Sequence, residues 1–148
     1  MTLEQVYAAI GGDYKGVMER LPSADFVRRF ALKFLQDDSF PNLKKALEEK
    51  DAPTAFRAAH TLKGVCQNLG FDALYVPSSA LTEALRGGSL DGADELFPPV
   101  EKEYQRVVEA LKAFVVPLAY KNTPFPKQYT ILSNKWGAVQ SALRVFFD

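Results

Sequence analysis

Asp51-Ala52-Pro53-Thr54-Ala55-Phe56-Arg57-Ala58-Ala59-His60-Thr61-Leu62-Lys63-Gly64-Val65-Cys66-Gln67-Asn68-Leu69-Gly70 is the stretch whose reading decides the fold. It opens on an Asp, a residue that caps helix N-termini, followed by a Pro near the first helical position, where a missing N–H breaks no bond. It closes on Gly70, the residue type that most readily ends a helix in left-handed backbone. At about 100° per residue, Ala55, Ala59, Leu62, Cys66 and Leu69 fall on one face, the stripe of a helix that buries one side. His60 lies roughly 140° from the middle of that stripe on the same wheel, so it is expected to face solvent. Gly64 and Gln67 share its side, and Lys63 flanks it.

The same periodicity extends in both directions. Thr2 caps a short helix carrying Leu3, Val6, Tyr7 and Ile10, which Gly11-Gly12 ends. Ser23 caps the next, with Phe26, Val27, Phe30, Phe34 and Leu35 as its inward stripe. Asp37-Asp38-Ser39 interrupts, and a third helix opens at Ser39 or Phe40 with Leu43, Ala46 and Leu47 inward. Beyond Gly70, Leu74, Leu81, Ala84 and Leu85 make a fifth stripe closed by Gly87-Gly88, with Pro77 expected to kink or restart it. Val100, Tyr104, Val107, Val108, Leu111 and Phe114 mark the last long helix, which Pro98-Pro99 should separate from a lead-in over Asp91 to Phe97. No segment alternates apolar and polar residues long enough to argue for a sheet. Amphipathic helices joined by short loops predict an all-α antiparallel four-helix bundle with one or more extra N-terminal helices. We assign residues 1–120 to this bundle and residues 121–148 to a C-terminal extension. Pro124 and Pro126 exclude regular helix at its start, Gln128 to Leu132 suits extended chain, and Trp136, Val139, Leu143 and Phe146 recur at helical spacing. Lys121, Lys127, Lys135 and Arg144 make the extension basic against a single acid, Asp148.

Composition narrows the function. The chain has 148 residues, 47% of them hydrophobic and 24% charged, as expected of one globular domain. Eighteen Lys and Arg balance eighteen Asp and Glu, which argues against nucleic acid or an anionic membrane as partner. One Cys excludes an internal disulfide, and one His with one Cys makes a zinc site built on those ligands untenable. No apolar run reaches the ~18 residues that span a bilayer, and no leader pattern opens the chain, so the expected address is the cytoplasm.

His60 therefore carries the chemistry. Imidazole is a nucleophile near neutral pH, and covalent intermediates on His are an established form of catalysis. Lys63, at i+3, shares its surface and is placed to neutralise a phosphoryl group on the ring. Gly64 costs about 1 kcal/mol against Ala in a helix interior, which clearance for a partner's backbone would offset. Gln67 is placed either to hydrogen-bond the phosphoryl group or to lie idle, and Arg57, at i−3, to add positive charge. Phe56 sits at the edge of the core stripe, where core and docking patch are equally open readings. His60, Lys63 and Gly64 are each unremarkable alone on a helix surface; the three together on one exposed face point to a phosphate carrier. Cys66 reads as a small buried apolar residue.

Ala59-His60-Thr61-Leu62-Lys63-Gly64, followed by Leu69-Gly70, resembles the signature of histidine phosphotransfer (HPt) domains of two-component phosphorelays. Phe56-Arg57-Ala58-Ala59-His60 with Lys63-Gly64 is also similar to the phosphoacceptor domain of chemotaxis kinases. The likeness runs over roughly Thr2 to Tyr120, taking in Ile10-Gly11-Gly12-Asp13-Tyr14 and Leu81-Thr82-Glu83-Ala84-Leu85-Arg86. Pro77 and Pro98-Pro99 depart from the continuous helices of such bundles, and residues 121–148 have no counterpart in the pattern. The resemblance implies that Nε2 of His60 takes a phosphoryl group from a receiver-domain aspartate and passes it to another. It makes the partners receiver domains of response regulators or hybrid histidine kinases, with Mg²⁺ on the receiver and no cofactor here. It also implies a phosphotransfer intermediate without an ATP site or autokinase activity, and no Gly-rich phosphate loop occurs. We expect a monomer. Two other classes remain: a bundle that binds a receiver or kinase without transfer, and a hydrolase using His60 as base, which would need an enclosed pocket.

Overall fold

The computed structural model describes residues 1–120, the last five by backbone alone, and the readings placed on residues 121–148 lie outside the described residues. Seven α-helices and no strands occur among them: α1 (Leu3–Ala9), α2 (Tyr14–Arg20), α3 (Ala24–Lys33), α4 (Ser39–Glu48), α5 (Ala52–Leu69), α6 (Asp72–Leu85) and α7 (Ala93–Tyr120). A 3₁₀ turn, Phe34–Gln36, follows α3. Helices α4 to α7 form the four-helix bundle, and α1 to α3 pack at one end of it.

Capping follows the sequence closely. Thr2 and Gln5 make a reciprocal capping box on α1, and Ser23 Oγ accepts the Phe26 N–H at 3.1 Å to start α3. Asp38 is the N-cap of α4 but makes no side-chain bond there; Asp37 Oδ1 instead accepts the Ser39 N–H at 2.9 Å. Asp51 Oδ1 accepts the Thr54 N–H at 3.2 Å, and Gly70 ends α5 with φ 70°. Only a residue without a Cβ takes that backbone freely.

The structure corrects three expectations. Helix α2 was not anticipated: Asp13 caps it by accepting the Gly16 N–H, but seven residues with a single buried apolar position, Val17, leave no stripe to read. Phe30, expected inside, is 41% exposed and stacks on Phe26 with centroids 4.3 Å apart. The prolines break nothing. Helix α6 runs through Pro77, and α7 runs unbroken from Ala93 through Pro98-Pro99, absorbing the lead-in. Pro98 and Pro99 are exposed, so water can take the carbonyls of Asp94 and Glu95 that lose their N–H partners, while the fixed φ of Pro is already helical.

Aromatic rings join the two parts of the core. Phe34 meets Phe71 edge-on at 5.3 Å and Tyr104 at 5.7 Å, and Tyr104 stacks on Phe40 at 3.9 Å. Tyr7, from α1, is fully buried, lies 5.7 Å from Phe71, and donates its hydroxyl to the Leu69 carbonyl at 2.6 Å. Asp13 N–H donates to the Gly70 carbonyl at 2.8 Å and Ala73 N–H to the Gly11 carbonyl at 3.3 Å. The N-terminal helices thereby fasten the C-terminal end of α5, the helix that carries His60.

Candidate functional site

Helix α5 is a rigid mount. It has 18 residues, about 27 Å at the usual rise, with both ends capped and Ala55, Ala59, Leu62, Cys66 and Leu69 buried as the wheel required. His60 is its ninth residue and is exposed. Cys66 is buried, and burial pushes its thiol well above the ordinary thiol range, which leaves it inert.

Among the described residues nothing explains a glycine at Gly64: a Cβ built there meets nothing within 4 Å, and its backbone is ordinary helix. The space lies one turn from the imidazole on the open side of α5. Gln67 is exposed a further turn along, and its backbone carbonyl accepts Arg20 Nη2 at 3.3 Å. A groove of about 540 Å³ begins beside it, between α3 and α5, lined by Phe26, Phe30, Val65, Asn68 and Leu69 with Arg20 and Lys33 at its rim.

The surroundings of His60 come from α5 and α6 together. The Phe56 ring lies 5.9 Å from the imidazole and nearly parallel to it, at 20°. Phe56 is half-buried and packs against the core, with part of its ring left at the surface. Arg86, from the end of α6, lies over the other ring partner of this stack, 5.2 Å from the Phe56 centroid. Its Nε and Nη2 donate to the two carboxylate oxygens of Glu83 at 3.0 and 2.9 Å. Lys63 Nζ stands 3.8 Å from Glu83 Oε1, its side chain 21% exposed. The Arg86 hydrogen bonds hold the Glu83 carboxyl below its usual range, and the charges of Arg86, Lys63 and His60 act in the same direction.

Five of the six residues singled out from the sequence therefore share one open face: Phe56, His60, Lys63, Gly64 and Gln67. Arg57 is turned elsewhere. Its Nη2 donates to Thr54 Oγ1 at 3.1 Å, and Thr54 Oγ1 donates to Asp51 Oδ2 at 2.6 Å, tying Arg57 to the start of the helix. The second cation near His60 is Arg86, which sequence reasoning did not assign to the site, and Glu83 was missed with it. The Glu-x-x-Arg spacing in α6 was the available signal, since i and i+3 lie on one helix surface. What that pair faces is fixed only by the packing of α6 on α5.

This arrangement suits group transfer to and from an outside partner. The His60 imidazole is exposed, Lys63 and Arg86 lie on the same face, and among the described residues no carboxylate bonds to the ring in an enclosed pocket as a hydrolytic base would require. Among the described residues no three His, Cys, Asp or Glu side chains gather as a metal site, and no helix is long and apolar enough to cross a membrane. A family model described as Hpt domain matches residues 35–113, more than half of the chain. Neither a curated protein nor a solved structure matches it.

Proposed function

Because the chain belongs to the Hpt domain family, we propose that His60 is its phosphoacceptor, taking a phosphoryl group from the aspartyl phosphate of one receiver domain and delivering it to the aspartate of another. Hpt domains are phosphocarriers in two-component phosphorelays rather than enzymes, and the layout around His60 fits that work. Transfer through a loose transition state depends mostly on positioning and charge, and the receiver contributes its Mg²⁺ and most of the stabilisation. This chain contributes the imidazole, the Lys63 ammonium and a surface to dock on, with Phe56, Gly64 and Gln67 on that surface and Arg57 at its edge. No ATP site is needed for such a carrier. We propose further that it works as a monomer in the cytoplasm, with residues 1–120 as the carrier unit.

The observation that carries this reading is Gly64. A mid-helix glycine that none of the described residues packs against supports a role as clearance for a partner that must bring an aspartyl phosphate up to His60. The test is direct. Mixed with a phosphorylated receiver domain, the chain is expected to gain phosphate that is labile in acid, stable in alkali, and absent from His60→Gln. Tight binding to several receivers without label would replace the carrier by a binding module.

A further inference from the structure

The docking face carries one charge that the proposed transfer does not use. Glu83 is an anion in a cluster otherwise suited to an anionic cargo. Both of its oxygens are engaged by Arg86, at 3.0 and 2.9 Å. Lys63 is 3.8 Å away, beyond hydrogen-bond reach. The ammonium is thus drawn toward Glu83 by charge but not held by it, whereas Arg86 bonds both carboxylate oxygens, including Oε1, the one nearest Lys63. Arg86 is itself committed to Glu83 and to the Phe56 ring.

We propose that Glu83 is a positioning residue that sets the balance of phosphoryl transfer at His60: it keeps Lys63 beside the bare ring and, once the ring is loaded, pushes the group onward. The inference rests on the phosphocarrier reading. In the loading step the P–O bond to the receiver's aspartate breaks and the carboxylate leaves with the electron pair. A P–N bond forms to His60, and the ring keeps its one proton on the other nitrogen. An aspartyl phosphate and a neutral imidazole become a free carboxylate and a phosphorylated ring, with total charge unchanged. The phosphoryl oxygens then compete with Glu83 for the Lys63 ammonium. Lys63 gives up no hydrogen bond in turning to them, because it makes none to Glu83. Glu83 cannot follow, being clamped by Arg86, and its carboxylate is left facing like charge across a short stretch of surface. That repulsion lifts the loaded state relative to the receiver's phosphate. The clamp also keeps the positive field of Arg86 from storing the group.

The experiment uses the full chain, a receiver domain that labels the parental protein, and ³²P partition between that receiver and His60 at equilibrium. For Glu83→Gln the partition is expected to move toward phospho-His60 by about threefold at low salt, within the range of a surface charge pair. The shift should shrink as salt rises through several hundred millimolar. Glu83→Asp, which keeps the charge, is expected to stay near the parental partition, and circular dichroism melts should show all three equally folded, since the Glu83 side chain is 55% exposed. An unchanged partition for Glu83→Gln, or a shift toward the receiver, overturns the proposal while leaving the carrier reading intact. Failure of the parental chain to take label from any receiver overturns the carrier reading itself.

Discussion

Replacing Gly64 separates stability from function, because the position is open on one side and helical on the other. A Cβ there meets nothing within 4 Å, so Gly64→Ala adds no clash and recovers the helix-propensity deficit of glycine, about 1 kcal/mol. Part of that gain arises in the unfolded chain, which loses freedom when a side chain is added. Gly64→Gln should gain roughly 0.5 to 1 kcal/mol by the same reasoning. For a chain of this size either gain raises the melting temperature by about 3 °C, readable by scanning calorimetry or circular dichroism. The two variants should part in phosphotransfer. The Ala methyl intrudes little on the clearance, so its rate stays within a few-fold of the parent. The Gln side chain reaches further into the space a receiver backbone needs, and a tenfold fall corresponds to about 1.4 kcal/mol at the transition state. Rapid-quench measurement of label on His60 gives the rates. A Gly64→Gln protein that is more stable and transfers at the parental rate would refute the clearance argument, and a destabilised Gly64→Ala would refute the packing description beneath it.

Three further outcomes follow from the geometry. Lys63→Ala is expected to slow transfer to His60 while changing the unfolding free energy from urea titration by no more than about 0.5 kcal/mol, since its ion pair with Glu83 is long and at the surface; equal transfer rates would remove Lys63 from the mechanism. Tyr7→Phe leaves the Leu69 carbonyl without its 2.6 Å donor and should cost about 1 to 3 kcal/mol in urea unfolding, with faster amide exchange at the end of α5. Asp51 is held below its usual range by hydrogen bonds from the Thr54 side chain and backbone. The anion is thus favoured in the folded state, its contribution is complete above the unfolded value near 3.9, and it disappears as pH falls through the lower folded value. Urea midpoints of the parent should therefore drop more steeply below pH 4 than those of Asp51→Asn.

The sequence carried the helices whose apolar residues repeat for several turns. In α5 the stripe, the Asp51 cap and the Gly70 stop all agreed, and the exposure of His60 followed from phase alone. Short α2 escaped because one buried residue in seven cannot establish a period, although Asp13 was present as a cap. Pro98 and Pro99 misled because the cost of a helical proline depends on whether the orphaned carbonyls reach water, which is a property of the packed surface. Phe30 was placed inward by phase, yet α3 ends in a 3₁₀ turn and abuts an open groove rather than a neighbour. Glu83 and Arg86 became part of the site only through the packing of α6 beside α5, a relation between residues distant in sequence that periodicity does not encode.

The ties between the first helices and the end of α5 bear on how this unit can be shuffled among proteins. The family match begins at residue 35, but Tyr7 and Asp13 lie upstream of it and complete the hydrogen bonding of the Leu69 and Gly70 carbonyls. A gene fusion or graft cut at residue 35 would transplant the histidine while leaving its helix with an unfinished end. A graft meant to keep the end of α5 as it stands here would therefore have to carry Tyr7 and Asp13 along with the matched segment.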